Sequence, residues 1–201
     1  MAFTFFFRDQ LILDLVIRHV VPFVSGRARV HVWDAGCAMG QEPYSLTILF
    51  AESMGSFAFK NLQVYATDKE ESDNFGEIVR SGTYPKEELD RIPKGILEKY
   101  FIPIDSTGRY QITDTVRNRV MYQKHDLLSL KPVGENFSLV LCKNVLLHLT
   151  YAERVEVIRM FHGALGTGGY FAMEQTQKIP VEIEHLFVKV ANDGQIFKKA
   201  D

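Results

Sequence analysis

The feature that most constrains the fold of this chain is a regular alternation of short apolar runs with stretches of helical spacing. The strand-like runs are residues 30–33, 62–66, 137–142 and 170–173. The helical stretches are residues 9–24, 43–52, 70–80 and 152–165, and Pro22 and Gly26 are expected to end the first of them. Because strands joined through helices lie parallel in one sheet, the alternation predicts an α/β fold with helices flanking a parallel sheet. Ligands bind such sheets at the carboxyl ends of the strands.

Residues 82–122 interrupt this alternation. Helical turns around residues 86–100 lead into two β-prone runs, residues 109–112 and 120–122. We predict that these two runs pair as a small antiparallel sheet. The sequence therefore predicts one domain, 1–201, that carries an inserted subdomain at about 82–122.

Composition limits the partners and the compartment. The 201 residues are 46% hydrophobic and carry a formal net charge of −2, so no global basic field favours a nucleic acid partner. Cys37 and Cys142 lack metal-ligand spacing, and we expect buried reduced thiols and no metal. The apolar runs are too short to span a bilayer. We expect a cytoplasmic protein without direct membrane insertion.

A glycine turn follows the first strand-like run. Its sequence is DAGCAMG, from Asp34 through Gly36 to Gly40. Glycines allow the backbone to approach a ligand closely, and the carboxylate of Asp34 can reach polar groups on it. The spacing is not the GxGxxG of dinucleotide-binding proteins, which favours a nucleoside-type ligand such as S-adenosylmethionine (SAM). A purely structural glycine turn is the alternative.

Two further acidic residues are candidates for the same site. Asp68 ends the second strand-like run, where an acidic side chain can accept hydrogen bonds from both ribose hydroxyls of a ligand. Its alternative role is a cap for the following helix. Glu42 lies at a helix start, where it either faces the cationic end of a ligand or complements the helix dipole.

Several segments together resemble the CheR-type chemotaxis receptor glutamate methyltransferases. GCAMGQEPYS, residues 36–45, is similar to their GCSTGEEPYS segment. Matching segments in the same order are TFFFRD (4–9), YATD (65–68), GTY (82–84), KYF (99–101), CKNV (142–145) and GGY (168–170). These segments cover nearly the whole chain. Family members normally carry a helical domain before the TFFFRD position, so the resemblance is to the catalytic SAM-binding domain without that domain.

This resemblance implies a Rossmann-like class I methyltransferase sheet and a set of cofactor-binding residues. It implies that the cofactor pocket is lined by Thr4, Glu42, Asp68, Asp126, Leu127, Asn144 and Val145, in addition to Asp34 and Gly36 of the glycine turn. Asp68 would hold the ribose, Asp126 and Leu127 would bracket the adenine, and Glu42 and Asn144 would orient the methionine moiety. The cofactor would be SAM and the product S-adenosylhomocysteine (SAH).

The resemblance also implies that Arg8 lies beside the reacting carboxylate. A glutamate acceptor is already ionised at neutral pH, so no general base is needed, and Arg8 would hold it by charge-assisted hydrogen bonds. A solvated surface arginine is the alternative. Tyr44 and His148 are candidates for the substrate side of the site.

Three substitutions leave the acceptor open. His148 stands where the family usually has tyrosine, Lys143 replaces arginine, and Asp126 replaces asparagine. The resemblance as a whole implies SAM-dependent O-methylation of glutamate side chains on a chemoreceptor cytoplasmic domain. The alternatives are a non-catalytic SAM- or SAH-binding regulatory module and a methyltransferase of the same fold with another acceptor.

Overall fold

The structure, a computed structural model, describes residues 4–69, 74–104 and 108–200. Its strands are β1 (Val30–Ala35), β2 (Leu62–Asp68), β3 (Thr83–Pro85), β4 (Phe101–Pro103), β5 (Arg109–Ile112), β6 (Val120–Lys124), β7 (Phe137–Cys142), β8 (Leu165–Met173), β9 (Phe187–Lys189) and β10 (Ile196–Lys199). Its α-helices are α1 (Gln10–Val24), α2 (Gln41–Ser53), α3 (Ser56–Phe59), α4 (Asn74–Ser81), α5 (Lys94–Tyr100), α6 (Asp114–Arg117) and α7 (Tyr151–Ala164). Within the described ranges, no helix has the length and apolar character needed to cross a membrane.

The described strands form one large sheet with the order β6-β2-β1-β7-β8-β10-β9. The first five strands in this order run parallel, while β10 is antiparallel to β8 and β9 is antiparallel to β10. Every residue of β7 is buried, as expected for a central strand that helices cover on both faces. The predicted α/β fold with a mostly parallel sheet is confirmed.

Two apolar clusters fill the space between the sheet and its helices. Successive side chains of a strand point to opposite faces, and accordingly Val32 belongs to the cluster under α1 and α2, whereas Trp33 belongs to the cluster under α7. Leu139 and Val140 divide in the same way on β7. The interiors of the central strands are therefore mainly apolar, since both faces of the sheet are covered.

The strand β6 corrects one prediction from the sequence. We expected residues 120–122 to pair with residues 109–112 in a small antiparallel sheet, but β6 pairs in parallel with β2, with Val120 beside Val64. The short helix α6 separates the two runs and returns the chain to the large sheet. The small antiparallel sheet exists with a different membership, in the order β3-β5-β4.

The predicted end of the first helix at residue 24 is confirmed, although Pro22, which was expected to help end the helix, lies inside it. The helix α1 continues through Pro22 to Val24, because Pro22 lies on its exposed side while Val24 is fully buried in the core and holds the last turn in place. Gly26, with a φ of 80°, follows just beyond. Of the helix predicted over residues 70–80, the structure has α4 from residue 74, and residues 70–73 lie outside the described part.

A third cluster anchors residues 4–9, which we call the Arg8 segment. The ring of Phe6 is buried edge-on against Tyr84 (4.9 Å between centroids) and Phe101 (5.4 Å), which lie on the small sheet. The main-chain N–H of Phe7 donates to Oγ of Ser45 on α2 at 2.8 Å. These contacts hold the segment beside the start of α2, close to the carboxyl edge of the large sheet.

The start of α7 provides a test of the helix boundaries. Thr150 accepts a hydrogen bond from the main-chain N–H of Glu153, and the Glu153 carboxylate in turn accepts from the N–H of Thr150, which forms a capping box. Losing such a cap costs about 1 kcal/mol. We expect Thr150→Ala to lower the free energy of unfolding by about that amount in urea titrations. Thr150→Ser, which keeps the hydroxyl, should lie close to the wild type, and equal losses in both variants would contradict this role.

Candidate functional site

A cavity of about 670 Å³ opens at the carboxyl edge of the large sheet, beyond the ends of β1, β2 and β7. This size lies within the range of pockets that enclose small-molecule ligands. All but two of the site residues predicted from the sequence line it, namely Thr4, Arg8, Gly36, Glu42, Asp68, Asp126, Leu127, Asn144, Val145 and His148. The fold therefore brings together residues that are up to 144 positions apart in the sequence.

Asp34 and Tyr44 are the two predicted residues that do not line the cavity. Asp34 lies within β1 with no exposed surface. Tyr44 lies on α2, where its hydroxyl donates to the main-chain oxygen of Val79 and its ring meets Tyr84 edge-on. Tyr44 was expected on the substrate side, but it packs between α2 and the small sheet because its ring is buried in the third apolar cluster.

The glycine turn is built for close approach. Gly36 has a φ of 106°, and a Cβ at this position would overlap Cγ2 of Val145. The N–H groups of Gly36 and Cys37 both donate to the main-chain oxygen of Thr67, at 2.8 and 3.0 Å. The next N–H, that of Ala38, donates to Oδ2 of Asp68 at 2.9 Å. Asp68 thus braces the turn while it also lines the cavity.

The far wall of the cavity is formed by the segment that follows β6. Asp126 accepts a hydrogen bond from the N–H of Leu128 at 2.9 Å, and its Oδ2 lies 2.8 Å from Nζ of Lys69. The hydrogen bond from Lys69 holds the pKa of Asp126 below its usual value, so this carboxylate stays ionised. Leu127 adds a nearly buried apolar surface to the same wall.

A buried lysine that was not predicted as a site residue joins Glu42 to the Arg8 segment. The Lys143 side chain has no exposed surface. Its Nζ donates to Oε2 of Glu42 at 2.9 Å and to the main-chain oxygen of Arg8 at 2.8 Å, and it lies 3.5 Å from Oδ2 of Asp9. The signal in the sequence was a lysine directly after the mainly apolar, fully buried run of β7, where a charge is costly unless it is paired.

Arg8 is oriented from the other side by Asn144. Its Nη2 donates to Oδ1 of Asn144 at 3.0 Å, and about a quarter of the Arg8 side chain is exposed. The N–H of Asn144 donates to Oε2 of Glu174 at 3.2 Å, a nearly buried carboxylate that the sequence analysis had also missed. Glu174 follows directly after β8, which is the position where a parallel sheet presents its functional side chains.

The Arg8 segment is conformationally strained. Phe7 and Asp9 flank Arg8 with φ values of 58° and 54°, in the left-handed region that non-glycine residues rarely adopt. Each such residue costs about 1–2 kcal/mol. The side-chain contacts around Arg8 must therefore offset this cost for the segment to hold its shape.

The electrostatics of the site are dominated by buried carboxyl groups. Burial raises the pKa of Glu42, against the opposing charge of Lys143. Burial raises the pKa of Asp34 well above its usual value, and the neighbouring charge of Glu42 adds to the rise. Among the described residues, the two carboxyl oxygens of Asp34 have no hydrogen-bond partner, and Oε1 of Glu42 has none either. Oε1 of Glu42 is thus a buried acceptor whose hydrogen-bonding capacity is unused among the described residues.

Comparison with known proteins assigns this arrangement to a family. A family model described as "CheR methyltransferase, SAM binding domain" matches residues 2–195. The chain belongs to this family. The predicted family, its methyltransferase fold and its SAM cofactor are therefore confirmed.

Relatives of this CheR domain include chemotaxis methyltransferases from several bacteria. It is 27% identical over 191 residues to a probable chemotaxis protein methyltransferase of Rhizobium etli, covering 92% of this chain and 70% of that protein. It is 26% identical over 203 residues to chemotaxis protein methyltransferase 1 of Pseudomonas aeruginosa, covering 97% and 73%. For the chemotaxis protein methyltransferase of Listeria innocua the values are 28% over 176 residues, with 87% and 64% covered. The chain thus spans roughly two thirds of the length of these relatives.

The fold of the CheR domain is also similar to that of a solved SAM-bound enzyme. Magnesium protoporphyrin IX methyltransferase from Synechocystis PCC 6803 with bound SAM superposes with a TM-score of 0.50, at 18% identity, covering 94% of this chain and 77% of that one. At this level of identity the similarity concerns the fold alone.

The cavity of the CheR domain fits the chemistry of SAM. It combines the main chain of the glycine turn, apolar surface from Leu127 and Val145, and the carboxylates of Asp68 and Glu42. A nucleoside with a cationic amino-acid tail offers an apolar base, hydroxyl donors and positive charge to these three kinds of surface. The unpartnered Oε1 of Glu42 is suited to the cationic part.

Asp34 provides a test of the buried electrostatics. Its pKa is raised in the folded state, so its contribution to stability is fully present below the unfolded-state pKa of about 3.9 and is lost as the pH rises through the folded-state pKa. We expect Asp34→Asn to gain stability over the wild type as the pH rises from about 4 to 7, by up to about 1.4 kcal/mol per pH unit. Urea unfolding across this range measures the difference, with exposed Asp90→Asn as the matched control. A pH-independent difference would contradict the interpretation.

Substitution of Asp68 tests whether this residue contributes to cofactor binding. Asp68→Ala removes a charged acceptor from the cavity and one brace of the glycine turn. Losing such a group costs roughly 1.5 to 3 kcal/mol, so the affinity for SAH measured by calorimetry should fall about tenfold to more than a hundredfold. Asp68→Asn, which keeps one acceptor oxygen, should lose less. An unchanged affinity in Asp68→Ala would assign Asp68 a purely structural role.

Proposed function

We propose that this CheR domain transfers the methyl group of SAM to the side-chain carboxylate of glutamate residues on the cytoplasmic domain of a chemoreceptor-like protein. The observation that carries the proposal is the position of Arg8, whose guanidinium side chain lines the same cavity as Glu42. The relatives are described as chemotaxis methyltransferases, which supports a methylation role in chemotaxis.

The residues that line the cavity would each bind a different part of the cofactor. Asp68 would accept hydrogen bonds from the ribose hydroxyls, and Asp126 with Leu127 would enclose the adenine. Glu42 and Asn144 would orient the methionine moiety. When bound, SAM supplies a methyl group that its sulfonium has already activated for transfer.

The acceptor side needs positioning rather than proton transfer. A glutamate with an ordinary pKa near 4.3 is a carboxylate at neutral pH and is itself the nucleophile. Arg8 would donate charge-assisted hydrogen bonds to one carboxylate oxygen and leave the other directed toward the methyl group. Positioning of this kind supplies most of what an in-line displacement requires from a protein.

The test is a transfer assay with radiolabelled SAM and purified chemoreceptor cytoplasmic fragments. The proposal expects label that is released as methanol at alkaline pH, as an ester requires, and that maps to glutamate residues by mass spectrometry. Fragments with those glutamates replaced by alanine are the control. Intact SAH binding without transfer to any fragment would refute catalysis and favour a cofactor-binding regulatory module.

One observation favours a different acceptor as the second candidate. His148 is exposed on the cavity wall, and an imidazole offers a different hydrogen-bonding pattern from the phenol of the tyrosine usual in the family. The same assay separates the two candidates, because alkali-stable label on a residue other than glutamate would identify another acceptor class.

Substitution of Arg8 distinguishes a role in methyl transfer from a role in cofactor binding. Arg8→Ala should leave SAH affinity nearly intact and lower methyl transfer by about two orders of magnitude, the scale of one lost positioning group. The bond from Lys143 is made to the main-chain oxygen of Arg8, so it survives the substitution. Arg8→Lys should restore only part of the activity, because an ammonium group lacks the planar fork. Equal losses of SAH affinity and transfer in Arg8→Ala would instead assign Arg8 to the cofactor pocket.

A further inference from the structure

One buried ammonium group connects two parts of the site that the proposed function keeps separate. Nζ of Lys143 donates to Glu42 on the cofactor wall and to the main-chain oxygen of Arg8 on the acceptor side. Both distances are below 3 Å, at 2.9 and 2.8 Å, and the lysine side chain has no exposed surface. A single side chain therefore fixes the spacing between the two walls.

We propose that Lys143 is a positioning residue that holds the Arg8 segment against the cofactor wall, so that the acceptor clamp and the Glu42 contact form as one unit. The inference deepens the proposed function and rests on it for the role of Arg8. Its own content is the coupling of the two walls.

The shape of the Arg8 segment explains why a bond to its main chain is needed. The ring of Phe6 anchors one end of the segment in the third apolar cluster, but Phe7 and Asp9 on either side of Arg8 adopt left-handed backbone angles. Such residues relax to ordinary angles unless their surroundings hold them. The Arg8 carbonyl lies between the two strained residues, and Lys143 binds it there.

The surrounding contacts close a ring around Arg8. Asp9 lies 3.5 Å from Lys143 through Oδ2, and the same oxygen accepts from Nδ2 of Asn144 at 3.4 Å. Asn144 in turn accepts from Nη2 of Arg8 at 3.0 Å. Lys143 and Asn144 are consecutive residues after the central strand β7, so this strand positions the Arg8 main chain through Lys143 and the Arg8 guanidinium through Asn144.

A purely structural role is a poor account of this lysine. A buried ion pair is often no more stabilising than apolar residues of similar volume, because the charges lose their hydration. At a position that directly follows the apolar strand β7, an apolar residue would satisfy packing. The lysine bonds instead to a cavity carboxylate and a cavity main-chain group, which links it to the geometry of the site.

The first test follows the Arg8 segment without any substrate. Hydrogen exchange with mass spectrometry is measured on the wild type, Lys143→Met, Lys143→Arg and the exposed control Lys60→Met. Peptides that cover the Arg8 segment should exchange roughly tenfold faster in Lys143→Met, while peptides from β7 keep their protection. Lys143→Arg, which keeps the charge, and Lys60→Met should resemble the wild type. If Lys143→Met fails to fold, Lys143→Gln, which removes the charge and has a shorter, polar side chain, replaces it.

Two results would overturn the proposal at this stage. In one, the Arg8 segment exchanges at the wild-type rate in the variant without the charge. In the other, β7 and the Arg8 segment lose protection to the same extent, as expected of a buried charge that stabilises the whole fold.

The second test measures the link to Glu42 as a double-mutant cycle in SAH affinity by calorimetry. Lys143→Met and Glu42→Gln should each lower the affinity, by roughly tenfold, the effect of one lost charged hydrogen bond. The double variant should lose little more than the larger single loss, because both substitutions break the same unit. Fully additive losses would show two independent contributions and overturn the coupling.

Failure of the coupling can be distinguished from failure of the proposed function. Neither test requires an acceptor, so both remain decisive if receptor fragments are not methylated. Conversely, the wild type could methylate glutamate while Lys143→Met shows unchanged hydrogen exchange, SAH affinity and KM for the fragment. That result would support the proposed function and overturn the coupling.

Discussion

The burial of the parallel sheet on both faces determines where chemistry can occur in this molecule. Helices α1 and α2 cover one face and α7 covers the other, so the strand interiors contain almost exclusively apolar side chains. Charged side chains that bind ligands gather where strands end, and the carboxyl ends of parallel strands meet at one edge. Asp68, Lys143 and Glu174 all occupy that edge, each at or directly after the end of a different strand.

This constraint also explains why the cavity concentrates costly features. A carboxylate without exposed surface, Asp34, lies under the glycine turn, and four of the non-glycine residues with positive φ (Phe7, Asp9, Ala38 and Asn144) lie on or next to the cavity wall. Each feature opposes folding. The apolar clusters on both sides of the sheet provide the stability that lets one edge tolerate them.

The sequence predicted those parts of the molecule that depend on local pattern. The strand β7 could be predicted because five of its six residues are apolar, and the glycine turn could be predicted because Gly36 directly follows a strand-like run. The structure adds that a Cβ at Gly36 would overlap Val145. The family resemblance identified cavity residues that no spacing could have connected, such as Arg8 and Asn144. The hydrogen bond from Lys143 to the Arg8 carbonyl could not be predicted from the sequence, because every residue has a main-chain oxygen whatever its side chain. The pairing of β6 was mispredicted because a short antiparallel partner was nearer in sequence than its parallel partner β2.

The position of β6 beside β2 has a consequence for how the molecule can diverge. The chain leaves the large sheet after Asp68, builds the small sheet, and returns to the neighbouring strand just before Asp126. The main-chain N–H of His125 donates to the main-chain oxygen of Asp68 at 2.8 Å, so the start and the end of this excursion are fastened together. Insertions or deletions within the excursion leave the spacing of the two aspartates unaltered. Parts of the intervening segment that do not pack on Phe6 can therefore change in length while the two ends keep a common geometry.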